Sequence, residues 1–418
     1  MTFKYGKIFN KGQQAAALDS VARLYLGYKF FGNLFFTYPI FYEFASSSIT
    51  PAQIGMFFTA IGLCSFVAEI PTGIMADKRG RKTNALIGTV LQMVAPLAVL
   101  TNQGFASYIA AALFYGLGRA FMNGALESLV YDHKNVSQTA YRRVNALEIT
   151  FGQAGILASA ALGGVLFSLN HNLPFIVEAI TGTLCLLLIA AMQESNKASH
   201  VASVASHRQH FMQSMRYLFA TTYLRILILM TLTFSVMLGM CIQFVNEAAM
   251  IEHGLQGQTR GFLIAGAGIA TIVILHTVLL RAVKSDIARI TYIAGGAAVA
   301  YICMSLGQMP LFLAGYLLWS CLNATSSFLR VMLNDRIPGS HRSTILSNFK
   351  ALAVLLGMGA STLTGLLVQS AHTPRAAYAV FGFLACAVLV PCAWWLIANL
   401  RQAQQISTQE QPDQPSLP

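Results

Sequence analysis

Apolar runs of about 20 residues, separated by short polar turns, recur along nearly the whole chain. A helix rising about 1.5 Å per residue needs that length to cross a hydrocarbon layer of about 30 Å. The runs predict helices over 21–44, 52–76, 84–102, 106–131, 147–169, 174–193, 223–245, 259–281, 287–306, 310–331, 344–369 and 375–399. The fold class that follows is an all-α polytopic membrane protein of twelve transmembrane helices in two six-helix bundles. The division between bundles is a polar stretch from Gln193 to Thr222 with no apolar run. The expected organisation is an N-terminal segment over 1–20, a first bundle over 21–193, a linker over 194–222, a second bundle over 223–400 and a tail over 401–418. The tail, rich in Gln, Pro and Ser, has too little apolar surface to offset the entropy of ordering.

Small residues inside the runs repeat between the halves. Gly155, Ser159 and Gly163 are spaced by four, and Gly357, Ser361 and Gly365 repeat that spacing 202 positions later. Asp132, after the fourth run, maps at the same offset to Asn334, after the tenth. Small residues along one helix face let a neighbouring helix approach closely, as membrane helices require where lipid supplies no hydrophobic drive. The shared offset favours duplication, with pseudo-symmetric bundles and a site near the midplane between them.

Composition agrees: 56% of residues are hydrophobic and 10% charged, against about 25% charged in soluble domains. The net charge of +12 is a matter of topology. Lys78, Arg79, Arg81, Lys82, Arg142, Arg143, Lys284 and Arg401, with most other cations, fall on one side, while the opposite side keeps Arg260 and Arg375. The positive-inside rule then places both termini in the cytoplasm of a cell inner (plasma) membrane, and nucleic acid is not implied as a partner. The seven cysteines all lie in predicted helices without a C-x-x-C pair, so they read as packing residues and imply neither disulfide nor metal site. His200, His207 and His210 belong to a solvated linker, and no cleavable signal peptide is expected at the N-terminus.

The chemistry is sought among ionisable groups inside the predicted helices, each costing about 3 kcal/mol or more in lipid. In the first half these are Lys29, Glu69, Arg119 and Glu127. Tyr25, Lys29, Asn33 and Thr37 form one polar stripe at helical spacing, and Arg119, Asn123 and Glu127 form another. Such stripes face a water-accessible cavity, since hydrocarbon offers them no partners. Two readings stand together. Glu69 or Glu127 gains and loses a proton at that cavity, since burial raises a carboxylate pKa and a nearby cation lowers it, or Lys29–Glu69 and Arg119–Glu127 are permanent ion pairs between helices. In the second half the candidate lining is Met230, Phe234, Met237, Met240 and Gln243, with His276, Asn323 and Ser327. Met and Phe at helical spacing are more often packing, and His276 reads as a satisfied interior group.

The turn after the second predicted helix carries Gly73-x-x-x-Asp77-Lys78-x-Gly80-Arg81-Lys82. This resembles the loop between the second and third helices of the major facilitator superfamily. The resemblance implies secondary transport by rocking of two bundles, a small-molecule substrate, protons as coupling ion, the lipid bilayer as surroundings, a monomer and no cofactor. It also implies a conformational gate of Gly73, Asp77, Gly80, Arg81 and Asp132, in which Asp77 caps the start of the eleventh helix and Arg81 pairs with Asp132. Three departures matter. The equivalent second-half loop, Leu280 to Asp286, lacks the glycines; Arg119 precedes Gly124 by five residues, where drug exporters use four; and Ser159-Ala160 stands where an antiporter signature has Gly-Pro. The expected function is proton-coupled export of small amphipathic organic molecules. Beside it stand carriage of an anionic or siderophore-like solute by Lys29 and Arg119, and a non-transporting sensor or assembly subunit. No metal-ligand cluster, phosphate-cradling loop or nucleophile motif suggests an enzyme.

Overall fold

The computed structural model of the protein describes residues 20–101, 103–131, 138–194, 221–337 and 342–409, and every regular element among them is helical. Among the described residues, ten helices are long and apolar enough to cross a membrane. They include a second span at Pro51–Arg79, a third at Arg81–Leu100, a fourth at Phe105–Tyr131, a fifth reaching Leu169 and a sixth at Leu173–Ala191. The second half continues with a seventh at Thr222–Glu252, an eighth at Gly257–Ala282, a ninth at Asp286–Ser305, an eleventh ending at Ala371 and a twelfth starting at Arg375. Local chemistry sets the ends. Thr50 and Gln53 form a reciprocal capping box before Pro51, and Gly80, at φ 94°, ends the second span as few other residues could. The twelfth span runs on to Gln409, beyond the expected end at 399.

The first and tenth spans are broken, which corrects the continuous helices expected there. The first consists of Ser20–Phe31 and Phe41–Ser46 joined by turns. Gly32 and Pro39 lie in the break, where proline's missing N–H and glycine's freedom both oppose a helix. The tenth stops at Ala324 and resumes over Ser327–Asp335. The fourth also breaks, after Met122, with Gly124 at φ 72°. The fourth and tenth breaks begin at Asn123 and Thr325, again 202 positions apart. In a membrane such freed backbone groups persist where protein or a watered cavity receives them.

Large apolar side chains such as Ile70, Leu169 and Trp394 stand exposed on the outer faces, an arrangement suited to lipid. The halves meet through the second span against the eleventh and the fifth against the eighth. A side chain at Gly55 would strike the backbone of Ser361, and one at Gly365 would strike Pro51. Gly164 lies in the same way on Gly257, and Gly261 on Ala160. Thr59 Oγ1 donates to the Met358 carbonyl at 2.6 Å and lies 2.8 Å from Thr362 Oγ1. All these contacts lie toward the helix ends remote from the Arg79–Arg81 turn, so the structure is sealed at that face. Of the predicted packing residues, Gly155 and Gly163 press on the first span's Phe30 and Phe36, and Ser159 is fully buried. Gly357 differs: nothing lies within 4 Å of where its side chain would be.

Candidate functional site

The stripe on the first span is where charge gathers. Lys29 Nζ sits 2.7 Å from Glu148 of the fifth span and 3.5 Å from Glu127 of the fourth. Tyr25 donates its hydroxyl to Glu148 at 2.8 Å, and Lys29 also lies over the Tyr25 ring at 5.1 Å. Asn33 turns back to the Lys29 carbonyl at 2.7 Å. One ammonium therefore serves two carboxylates from different helices. The expected Lys29–Glu69 pair is not formed, because equal depth in the membrane fixes height and leaves rotation about the helix axis open. Glu69 instead accepts from Asn123 Nδ2 at 2.6 Å, and Asn123 Oδ1 lies 3.5 Å from Lys350 of the other half. The expected Arg119–Glu127 pair is also replaced. Glu127 turns to Lys29, and Arg119 is exposed and makes no ion pair with the described residues.

In the second half, Met230, Phe234, Met237 and Met240 are all 0–1% exposed, so they are core. Gln243 does reach a cavity and accepts from Ser361 at 2.8 Å. His276 is exposed, with Nδ1 2.9 Å from the Ile272 carbonyl in a π-helical turn, which corrects its expected interior place. Asn323 and Ser327 are exposed on either side of the tenth-span break.

The gate residues divide. The Gly80 turn is held by Glu194 at the end of the sixth span, whose carboxylate accepts from the Arg81 N–H at 2.6 Å and the Lys82 N–H at 3.2 Å. Lys82 Nζ reciprocates, donating to the Ala190 and Met192 carbonyls at 2.6 and 2.8 Å. An anion thus sits on one helix N-terminus and a cation on the adjoining C-terminus, each complementing the local dipole. Asp77 is exposed on the last turns of the second span, and Gly73 has open space around it. Asp132 lies outside the described residues, as do the side chains at the start of the eleventh helix where Asp77 is expected to dock.

Four acids absent from the sequence-derived set prove structurally central: Glu148, Glu178, Glu194 and Glu247. Glu148 and Glu178 fall inside predicted helices and meet the same criterion that selects Glu69. Glu178 lines a cavity of about 240 Å³ and accepts both the Thr37 N–H, at 3.1 Å, and its hydroxyl, at 2.8 Å. Glu247 accepts the N–H groups of Tyr42 and Glu43 at 2.7 and 3.0 Å across the sealed face. Arg260, 1% exposed, completes that junction. It donates to the Pro39 carbonyl at 3.1 Å, the Leu255 carbonyl at 2.8 Å and the Glu43 carboxylate. The charge pattern makes Arg260 an outer-loop cation; the fold makes it a clasp between halves.

A model of the Major Facilitator Superfamily matches residues 24–331 of the chain. A probable vesicular acetylcholine transporter-A from Danio rerio is 27% identical over 142 residues, which is 33% of this chain and 28% of that one. The chain thus spans well under half the length of that curated relative. Among solved structures, the nucleoside transporter NupG aligns with a TM-score of 0.69 at 14% identity, covering 91% of this chain and 98% of its own. A D-xylose–proton symporter aligns with a TM-score of 0.67 at 14% identity, covering 88% and 96%.

Proposed function

The chain belongs to the major facilitator superfamily, and from that premise we propose that it is a proton-coupled exporter of small amphipathic organic molecules. The supporting observation is Lys29 held between Glu148 and Glu127. With both acids ionised the trio carries one net negative charge, so one proton neutralises it while Lys29 keeps a partner. A group that changes charge without losing its ion pair can bind and release a proton as the bundles rock. The proton symporter of the same fold makes proton coupling compatible with this architecture. With the cation-rich turns on the cytoplasmic side, the glycine contacts close the outer face, which suits a form that loads an exported solute from within.

The test is everted vesicles with an imposed pH gradient followed optically. Glu148→Gln and Glu127→Gln each retain a hydrogen-bonding side chain and remove one carboxylate of the trio. Solute-dependent dissipation of the gradient is expected in the parent and is expected to be lost in at least one variant. Undiminished dissipation in both would remove the proton-carrier role. Carriage of an anionic solute keeps one supporting observation, the exposed Arg119 without an ion-pair partner among the described residues. Lys29 no longer supports it, because two acids already occupy that ammonium. Competition by organic anions, lost in Arg119→Gln, would favour that second reading.

A further inference from the structure

The cavity beside Glu178 is separate from the Lys29 trio and enters the first bundle, where Phe41, Phe57, Phe58, Tyr115 and Phe175 form much of its wall. The Phe41 and Phe57 rings stack at 5.1 Å, and Phe58 meets Phe57 edge-on at 5.1 Å. Into this aromatic box projects one carboxylate. Glu178 Oε2 takes both Thr37 bonds, and no Lys, Arg or His among the described residues lies within ion-pair distance of the group. Aromatic faces are negative and attract cations. A lone carboxylate among such faces is the complement of a positive charge and repels a negative one. The volume of about 240 Å³ falls just under the ~300–1,000 Å³ of common ligand pockets, which suits a small amine rather than a large dye.

Glu178 also has a structural duty, since it receives the Thr37 N–H freed by the break in the first span. Both Thr37 bonds fall on one oxygen, which a glutamine also supplies, and the Phe36 N–H bonds the carboxylate as well. A charge is surplus to the two Thr37 bonds, and the carboxyl lines the box.

We propose that this cavity binds a small monovalent organic ammonium ion, with Glu178 as its counter-ion and the aromatic rings as its cage. The assignment deepens the exporter reading and rests on it for purpose, though its geometry stands alone.

The experiment is equilibrium binding of radiolabelled benzyltrimethylammonium to the purified full chain in lipid nanodiscs, with benzenesulfonate as the anionic competitor. Saturable binding is expected, unaffected by benzenesulfonate. Glu178→Gln is expected to raise Kd at least about tenfold, the loss of one charge-assisted contact, at an unchanged thermal unfolding midpoint. Phe57→Leu removes a ring face without touching the acid and is expected to weaken binding several-fold, which keeps the site testable should the Glu178 variant misfold. Equal affinity in both variants, no saturable binding to the parent, or equal displacement by benzenesulfonate overturns the assignment. Glu178-dependent binding without flux in vesicles would keep the site and discard the exporter reading. Proton-coupled flux of another solute, unaltered by Glu178→Gln, would do the reverse.

Discussion

Replacing Glu247 by glutamine tests whether the clasp at the sealed face sets the conformational balance. In the sealed state Glu247 is 6% exposed and holds two backbone N–H groups of the opposite half at 2.7 and 3.0 Å, with Arg260 3.9 Å away. Tyr42 and Glu43 each bond their own carboxylate oxygen, whereas glutamine has a single oxygen. Hydrogen bonds to a charged acceptor contribute about 1.5–3 kcal/mol and neutral ones about 0.5–1.5, so one bond weakens by about 1 kcal/mol and the other, now facing an amide NH2, is lost at about 2 kcal/mol. Arg260 keeps two carbonyls and Glu43, and Glu43 is 41% exposed, so its pairing with Arg260 adds little once solvent screening is allowed for. The sum, about 3 kcal/mol, is lost in the sealed state alone, because water receives both partners once the halves part. That is roughly a 150-fold shift, enough to raise an open population of about 1% to about 60%. Spin labels at the exposed Ser47 and Gln258, with the accessible Cys64, Cys303 and Cys386 replaced by alanine, report the separation by pulsed electron resonance. A second, longer distance is expected in Glu247→Gln. An unchanged distance distribution would refute the reasoning, since it would mean that these bonds contribute equally to both states.

Three further outcomes follow from the packing. Gly365→Leu places a side chain against the Pro51 backbone and is expected to hold the same face open, read by the same label pair, while Gly357→Ala, with open space around it, should leave the distance unchanged. Gly80→Ala imposes φ 94° on a residue with a side chain and should lower stability by about 1–3 kcal/mol, seen as an earlier thermal unfolding; Gly73→Ala in the same motif should leave it unaltered. Met237→Ala empties a core position that is 1% exposed and should cost about 2–5 kcal/mol without changing which solutes compete for transport.

Span positions were legible because hydropathy integrates over many residues, and so the fold class was too. The breaks were not, because a few breakers inside a strongly apolar run compete with the hydrophobic signal. Gly32, Asn33 and Pro39 are visible in the sequence, yet their effect depends on Glu178 and Glu247 arriving from distant helices to receive the freed N–H groups. Ion-pair partners were the least legible feature. Lys29, Glu69, Glu127 and Glu148 all lie in spans of the first half, and the rotation of each helix selects Glu148 and Glu127 for Lys29. That rotation comes from close packing such as Gly155 on Phe30, a three-dimensional constraint that helical spacing alone does not contain.

The breaks at matching positions of the two halves are put to different use. Both copies interrupt the helix at the same register, Asn123 in the fourth span and Thr325 in the tenth. The backbone feature is common to both halves, and the side chain at the break decides its use. Thr325 turns its hydroxyl onto its own helix, to the carbonyls of Cys321 at 2.9 Å and Leu322 at 3.2 Å, and is fully buried. Asn123 instead points outward, donating to Glu69 and facing Lys350 of the opposite half. An amide offers donors and an acceptor together, so it can connect an acid and a cation that do not touch. In the first half the break thus becomes a junction among the second, fourth and eleventh spans, at the face away from the glycine seal. Rocking that opens the seal must move the eleventh span relative to the second and fourth. The Asn123–Lys350 contact, at 3.5 Å, lies in the path of that motion, close in sequence to Glu127. The contact to Lys350 and the Lys29–Glu127 pair are thus carried by neighbouring residues, Asn123 at the break and Glu127 on the short helix Ala125–Tyr131 that follows it.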